Sequence, residues 1–267
     1  MYPENYKKEE DLGISRRLDY SKQFKKRRGI RIGMVMAKQN EIISIFDSIA
    51  QGYDYMNSLM TIGLDKHWRR LAVKKAEVKR GSTCLDLCCG TSKLTRELAR
   101  SAGPEGRVVG VDLSREMLAK AADNLRNFKF RANIKLIRAD AADLPFADNF
   151  FDCAVIGWGL RNIADISSAL EEMIRVVKPG GKLVSIDMGK PHPVIMTVFR
   201  PYVRYFLPFV GGLVTNNSQA FKYFASSIET FLSPKELSGL FQGLGLIEVR
   251  YRNYAAGIIS LIEGRKP

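Results

Sequence analysis

The chain has 267 residues and carries 42 Lys and Arg against 28 Asp and Glu, a formal net charge of +14. That length suits one large α/β domain with additions, or two small domains, and buries enough apolar surface to fold without disulfides or structural metals. The cysteines have neither the spacing nor the partner histidines of a zinc site, so no metal site is predicted, and free thiols favour a reducing cytoplasm. They are Cys84, Cys88, Cys89 and Cys153.

Residues 1–40 form a basic segment, with eleven Lys and Arg against five Asp and Glu. Residues 1–33 show no sustained hydrophobic periodicity and no apolar stretch typical of a signal peptide. We therefore expect residues 1–40 to be a flexible N-terminal extension and residues 41–267 to form the folded domain. Such an excess of positive charge is typical of proteins that contact nucleic acid or an anionic membrane surface, although a merely solvated surface has the same composition.

Strands and helices alternate along most of the folded domain. Apolar residues at helical spacing predict a first helix containing Ile42 and Ile49, then a turn at residues 52–57 and a helix at residues 66–78. Strands are predicted at residues 83–89, 107–112, 134–139, 152–157 and 182–187. Helices are predicted at residues 92–102, at residues 114–127 and after Asp165, the expected N-cap. This alternation predicts a doubly wound, mostly parallel sheet with helices on both faces.

The C-terminal part predicts a different arrangement. The sequence SPKE at residues 233–236 predicts a helix start with a capping box. Two strand-like runs follow at residues 246–254 and 257–263, separated by Ala255 and Ala256, and predict an antiparallel hairpin. A mostly parallel sheet of seven strands that ends in such a hairpin is typical of methyltransferases.

An apolar run at residues 194–214 is long enough to span a membrane but contains Arg200, Pro201, Arg204 and Pro208. Each arginine at bilayer mid-depth costs about 2.5–3.5 kcal/mol, so a spanning helix is not expected. The run fits better as part of a helical cover over a substrate pocket at about residues 191–230, or as an interfacial element.

The first strand-to-helix turn, LDLCCGTSK at residues 85–93, lies where α/β sheets bind nucleotide-derived cofactors. It lacks the G-x-G-x-x-G pattern that a pyrophosphate requires, which favours S-adenosylmethionine, with Gly90 bringing the backbone close to it. Asp86 is the expected partner of the cofactor's amino group, directly or through water. A hydrogen bond from Asp86 to its own loop is the alternative.

Two further strand ends carry acids. Asp112 ends the second strand, 22 residues after Gly90, which is the spacing of an acid that accepts ribose hydroxyls. Asp140 and Ala141 end the third strand, where an acid can accept the adenine amino group and a small residue can pack against the ring. Asp143 is an alternative acid. Together these strand ends predict an adenosyl site.

The fourth strand is followed by the sequence GWGLRN, the 157–162 loop. Gly157 is expected to lie against the cofactor, and the rest of the loop faces the methyl acceptor. Arg161 stays protonated and is expected to stabilise a developing oxyanion, with a salt bridge to Asp165 as the alternative. Asn162 is expected to orient a water or a substrate oxygen, and Tyr53 to bond or stack on the acceptor ring. A loop cap and a buried aromatic are the respective alternatives.

Three patterns together resemble one family: FDxIAxxYDxMN at residues 46–57 with Trp68-Arg69, LDLCCGT at residues 85–91, and GLRN at residues 159–162. Over about residues 41–267 they resemble the ubiquinone/menaquinone biosynthesis C-methyltransferase family. The resemblance implies a Rossmann-like, class I S-adenosylmethionine-dependent methyltransferase fold and methyl transfer to a ring carbon of a polyprenylated quinol. It also implies cofactor contacts at Thr91, Asp112, Asp140 and Ala141.

The CCGT turn is more similar to the menaquinone branch, so methylation of demethylmenaquinol to menaquinol is expected. Ubiquinone biosynthesis or another phenolic acceptor is the alternative. The expected partners are the polyprenylated quinol and, transiently, an anionic membrane surface, while a homodimer stays open. The 157–162 loop is not the proline-aromatic loop of amino-directed nucleic-acid methyltransferases, so nucleic acid is not expected. The expected location is the cytoplasm, peripheral at the inner face of the cell membrane.

Three positions depart from the family pattern. Ser92 and Lys93 stand where the family usually has Gly or Ala followed by Asp, and a lysine beside a sulfonium is unfavourable unless it points away. Asp65 stands where the family usually has histidine, and His67, two residues later, is a candidate base. These departures leave open a partner protein that has the fold without the activity.

Overall fold

A computed structural model describes residues 29–61, 63–206, 209 and 218–267. Most of the basic extension predicted for residues 1–40, and part of the apolar run at residues 194–214, lie outside these described residues. Helix α1 (Gly29–Ile49) crosses the boundary predicted at residue 40, so the described part of that segment is helical. The division into an extension and a domain otherwise stays a prediction.

The described residues form one seven-stranded sheet in the order β3-β2-β1-β4-β5-β7-β6. Its strands are β1 (Thr83–Leu87), β2 (Arg107–Asp112), β3 (Ile134–Arg138), β4 (Phe151–Gly157), β5 (Val177–Met188), β6 (Ile247–Tyr254) and β7 (Ile259–Arg265). Neighbours are parallel except that β7 runs antiparallel to both β5 and β6. The predicted doubly wound, mostly parallel seven-stranded sheet with a C-terminal antiparallel hairpin is confirmed.

The central strands are buried on both faces, as parallel strands between helices must be. Leu85 of β1 lies beside Val109 of β2 and Ala154 of β4, and all three belong to the core on one face. Cys84 and Cys153, paired one position earlier, belong to the core on the other face. The strand cysteines are therefore free thiols that act as apolar filler.

Helices cover both faces of this sheet. They are α3 (Asp65–Lys75), α4 (Lys93–Ala102) and α5 (Arg115–Leu125) on one face, and α6 (Ile166–Val176) and α9 (Pro234–Gly243) on the other. Asp165 caps α6 as predicted, because its carboxylate accepts a hydrogen bond of 3.0 Å from the Ser168 N–H. The predicted capping box between Ser233 and Glu236 is also present at the start of α9.

The turn predicted at residues 52–57 is wrong. The Gly52 N–H donates to the Ile49 carbonyl at 3.0 Å and ends α1, and α2 (Tyr53–Met60) begins directly afterwards. Asp54 lies in the first turn of α2, where the helix dipole favours an acid. The glycine therefore separates two consecutive helices, and α2 carries Tyr53 toward the sheet.

Residues 191–230 contain α7 (Pro193–Pro201), a π-helical turn (Tyr202–Phe206) and α8 (Ser218–Thr230). The segment is helical as predicted over its described part, and its role as a substrate cover stays a prediction. Within the described ranges, no helix is both long enough and apolar enough to cross a membrane.

Candidate functional site

A cavity open to solvent lies at the carboxyl ends of β1, β2 and β4, where α/β sheets bind their ligands. The space in it, open solvent included, is about 710 Å³. The loops after these strands form its floor, and α1 forms a wall through Gln39, Ile42, Ile43 and Phe46. Seven residues predicted for the site line it together: Tyr53, Gly90, Asp112, Asp140, Ala141, Gly157 and Asn162.

Backbone N–H groups hold the carboxylate of Asp112 in place at the carboxyl end of β2. Its two carboxylate oxygens accept hydrogen bonds from the N–H groups of Gly90 and Ser114, at 2.8 and 2.9 Å. Gly90 has a φ of +51°, a conformation that favours glycine, so the backbone turns tightly over the acid. Burial raises the pKa of Asp112 above its ordinary value. A carboxylate has about four acceptor positions, so Asp112 can still accept bonds from two ligand hydroxyls.

Asp140 and Ala141 form the next part of the wall. One oxygen of Asp140 accepts from the Ala142 N–H at 2.9 Å, which fixes the carboxylate at the cavity edge. Burial raises its pKa as well. Ala139 and Ala141 provide a small apolar surface beside it. Asp143, the alternative acid, is not among the residues that line the cavity.

A second pocket of about 340 Å³ adjoins the first and shares Tyr53, Cys88, Gly90, Gly157 and Trp158 with it. Asp86 lines this second pocket and is 1% exposed. Its Oδ2 accepts from the Thr95 hydroxyl at 2.5 Å, whereas Oδ1 is buried without a hydrogen-bond partner. Burial raises the pKa of Asp86 to about 7. A buried acid with a free oxygen is suited to receive a cation.

Thr91 lies in the second pocket but also fastens α2 to the cofactor turn. Its hydroxyl donates to Asp54 Oδ1 at 2.5 Å, and its carbonyl accepts from the Asn124 amide at 3.1 Å. The predicted cofactor contact therefore needs the remaining acceptor capacity of the hydroxyl or the backbone.

Asp65 and Lys93, two of the residues that depart from the family pattern, contact each other. Lys93 Nζ lies 3.6 Å from carboxylate oxygens of both Asp54 and Asp65. Asp65 is buried and also accepts from Arg69. Lys93 is thus neutralised by two acids, which reduces its repulsion of a cationic ligand. His67, the candidate base, is exposed and packs edge-on against Trp68, away from the cavity.

The structure places Arg161 behind the cavity wall, and its predicted role toward the acceptor stays a prediction. Its guanidinium is fully buried in an ion pair with Asp187 of β5, and Nη1 also donates to the Trp158 carbonyl at 3.0 Å. It packs 4.5 Å from the ring centroid of Phe224 and is absent from the lining of the cavity. The alternative, a salt bridge to Asp165, is wrong, because Arg161 pairs with Asp187 and Asp165 caps α6. A direct contact between Arg161 and the acceptor would require Nε or Nη2, which are buried without partners.

Asn162 and Tyr53 do line the cavity. The Asn162 amide donates to the Trp158 carbonyl at 3.0 Å, and its oxygen accepts from the Tyr223 hydroxyl at 3.2 Å. Tyr53 packs edge-on against Phe46 with ring centroids 5.9 Å apart, and burial raises the pKa of its phenol. Both side chains can exchange hydrogen bonds with a ligand in the cavity.

Both glycines of the 157–162 loop permit close approach. A Cβ on Gly157 would lie 3.0 Å from a Leu94 methyl, and one on Gly159 would lie 2.6 Å from the Cβ of Cys88. The loop can therefore lie directly over the cofactor turn.

Several site residues were missed by sequence reasoning: Gln39, Ile43, Asp187 and Tyr223. The periodicity of Ile42, Ile45, Phe46 and Ile49 predicts a buried helical face, but it does not say that this face covers a cavity. Tyr223 and Asp187 reach the site only through tertiary contacts.

Comparison with known proteins shows which family the chain is similar to. The model of the ubiE/COQ5 methyltransferase family matches residues 34–266. A demethylmenaquinone methyltransferase of Desulfitobacterium hafniense is 46% identical over 223 residues, 83% of this chain and 88% of that protein. The ubiquinone/menaquinone biosynthesis C-methyltransferase of Klebsiella pneumoniae is 40% identical over 232 residues, 86% of this chain and 92% of that protein.

Solved structures give the fold. A SAM-dependent methyltransferase from Aquifex aeolicus superposes with a TM-score of 0.54 at 19% identity, over 73% of this chain and 88% of that one. One from Thermotoga maritima, described as a possible histamine N-methyltransferase, gives 0.58 at 19% identity, over 85% of this chain and all of that one. The predicted class I methyltransferase fold is confirmed, and the chain belongs to the ubiE/COQ5 methyltransferase family.

Proposed function

We propose that the protein is an S-adenosylmethionine-dependent C-methyltransferase that converts demethylmenaquinol to menaquinol. The observation that carries the proposal is that one cavity brings Asp112 and Asp140 together with Asn162 and Tyr53, while Asp86 lines the adjoining pocket. We assign the acids to the cofactor, as the first side of the site, and Asn162 and Tyr53 to the methyl acceptor. The 46% identity to a protein named demethylmenaquinone methyltransferase supports the naphthoquinol acceptor.

The chemistry of the first side fits an adenosyl cofactor. Asp112 and Asp140 offer acceptors for ribose hydroxyls and an adenine amino group, and the unpartnered Oδ1 of Asp86 offers one for an ammonium group. When bound, S-adenosylmethionine supplies an electrophilic methyl group on a sulfonium. Holding two reactants in line can contribute roughly 7–11 kcal/mol to lowering the barrier, so positioning by these acids and by the 157–162 loop is their main contribution.

On the acceptor side, we assign the two ring oxygens of a quinol to Asn162 and Tyr53, which both line the cavity. As the ring carbon becomes nucleophilic, negative charge grows on one oxygen. Burial raises the pKa of Tyr53, and the positive charge of the buried Arg161 partly opposes this rise. The charge of Arg161 therefore acts electrostatically on a side chain of the cavity wall. We assign Arg161 an electrostatic role from behind the wall, together with its support of the loop.

The long tail of the acceptor calls for an apolar surface. Val194, Tyr205, Phe206 and Phe209 are exposed large apolar residues on or beside α7. Arg204 is exposed in the same segment, and Arg200, which is also exposed, pairs with Glu229 at 3.1 Å. The segment therefore combines apolar side chains with the cationic Arg204, a combination that suits an anionic membrane surface. This supports a cytoplasmic enzyme that works peripherally at the inner face of the membrane, where its substrate lies.

Methyl transfer from labelled S-adenosylmethionine to reduced demethylmenaquinone tests the proposal with purified protein. We expect a product heavier by one methyl group, and about 100-fold lower kcat for Asn162→Ala. Asn253→Ala, an exposed change on β6, is the matched control. Transfer to demethylated ubiquinol precursors alone would move the protein to the other branch. No methylated product with either acceptor would refute the proposal and favour a partner protein.

A further inference from the structure

The second pocket contains both signs of charge, held by residues of different elements. Asp86 comes from β1, Lys93 from the start of α4, and Arg69 from α3. The amino-acid end of S-adenosylmethionine is a zwitterion and needs an acceptor for its ammonium group and a donor for its carboxylate. The unpartnered Oδ1 of Asp86 is the acceptor, which leaves the donor to be identified.

Arg69 has the geometry of a preformed anion contact. Its side chain is 7% exposed, and its guanidinium lies 4.8 Å from the ring centroid of Trp158. Its ion pair with Asp65 involves Nη1. A guanidinium has five donors in a rigid fork, so one acid does not saturate it, and its second edge suits a carboxylate. Packing on Trp158 holds that fork in one plane against the pocket.

Lys93 is the less suitable donor. Its ammonium group already has three oxygens within 3.6 Å: the Asp54 carbonyl and one carboxylate oxygen each from Asp54 and Asp65. Its side chain is also 28% exposed, so solvent competes for its remaining donor capacity. Lys93 instead pairs with the same acid as Arg69, Asp65. It thereby neutralises part of the negative charge beside the Arg69 guanidinium.

We propose that Arg69 binds the carboxylate of the cofactor's amino-acid end, opposite Asp86, which takes the ammonium group. The inference rests on the cofactor placement proposed above and adds a residue that the strand-end motifs do not contain. Trp158, on which Arg69 packs, also accepts hydrogen bonds from Arg161 and Asn162 through its carbonyl. Binding of the carboxylate is thereby connected to the acceptor loop.

Calorimetry with three ligands tests the assignment: S-adenosylmethionine, its decarboxylated analogue, and 5′-methylthioadenosine, which lacks the amino-acid end. We expect the wild type to bind the decarboxylated analogue about 10- to 100-fold more weakly than S-adenosylmethionine, the range of a charge-assisted contact. Arg69→Gln should lose this discrimination and bind the other two ligands within about threefold of the wild type. Arg70→Gln, on the same helix but with a side chain 60% exposed, is the matched control and should behave as wild type.

Arg69→Gln leaves Asp65 buried with one partner fewer, so the double variant Asp65→Asn/Arg69→Gln, which removes both charges, is measured beside it. Equal weakening of all three ligands in both variants would mean that Arg69 only supports the fold, and would overturn the proposal. So would a wild type that binds the decarboxylated analogue as tightly as S-adenosylmethionine. If the wild type binds no adenosyl ligand at millimolar concentration, the proposed function fails as well, whereas equal binding of S-adenosylmethionine and its decarboxylated analogue refutes the role of Arg69 alone.

Discussion

Replacing Asp86 with Asn should stabilise the ligand-free protein while removing its ability to hold the cofactor. The carboxylate is 1% exposed, and its one described partner is the Thr95 hydroxyl. Asparagine has nearly the same shape and keeps an oxygen for Thr95 to donate to. The substitution therefore removes a buried charge with little change in packing.

The magnitude follows from the pKa of Asp86, which burial raises from an ordinary 3.8 to about 7. Between these two pH values the folded protein binds a proton that the unfolded chain has lost, so stability falls as pH rises through this window. Each pKa unit corresponds to 1.36 kcal/mol, so at pH 8 the penalty is on the order of 4 kcal/mol. The Asp86→Asn variant lacks this penalty. Its free energy of unfolding should therefore exceed that of the wild type by a few kcal/mol at pH 8 and by almost nothing near pH 4.

Urea unfolding of the ligand-free proteins between pH 4 and 8 measures this difference. When each variant is compared with the wild type, the contributions of the raised pKa values of Asp112 and Asp140 to the free energy of unfolding cancel, because both proteins share them. Asp123→Asn, at a side chain 59% exposed, serves as the control and should show no such trend. A difference between Asp86→Asn and wild type that stays constant across this pH range would refute the reasoning, because Asp86 would then be as easily ionised folded as unfolded.

Three further outcomes are expected. Asp187→Asn should destabilise the fold by about 3–5 kcal/mol in urea unfolding, because Arg161 would remain buried without its anion; a loss below 1 kcal/mol would mean that the pair contributes little. Gly159→Ala should cost about 1–3 kcal/mol through overpacking, while Gly239→Ala, with no atom within 4 Å of the new methyl group, should be neutral or stabilising. Phe206→Asp should reduce turnover of long-tailed quinols more than that of tail-less naphthoquinols, and equal losses in steady-state assays would contradict a role in tail binding.

The parallel sheet was predictable because its strands are short apolar runs between helices with clear caps. The predicted ends of β2 match the structure, and those of β1, β3 and β4 differ by one or two residues. Asp112 and Asp140 follow from the same logic, since the carboxyl ends of parallel strands meet at one edge. The turn at residues 52–57 failed because one glycine between two helices has the same local signature as a loop.

The partner of Arg161 shows where local reasoning ends. Asp165 lies four residues away along the chain, which made it the alternative partner of Arg161. However, Gly157 of β4 pairs with Ile186 of β5, so Asp187 is brought beside the loop although it is 26 residues from Arg161. Strand register decides this contact, and register depends on the whole sheet. The wall that α1 forms along the cavity likewise depends on contacts across the whole fold, so local sequence does not predict it.

Trp158 is one of the five residues that line both the cavity and the adjoining pocket. Its φ is +57°, unusual for a residue with a side chain, and its N–H donates to the Ile186 carbonyl at 2.7 Å. The ring contacts Arg69 on the cofactor side, while the carbonyl supports Arg161 and Asn162 on the acceptor side. A rotation of the Trp158 backbone would disturb the residues proposed for both ligands, so we expect the affinities for the cofactor and the acceptor to be thermodynamically linked.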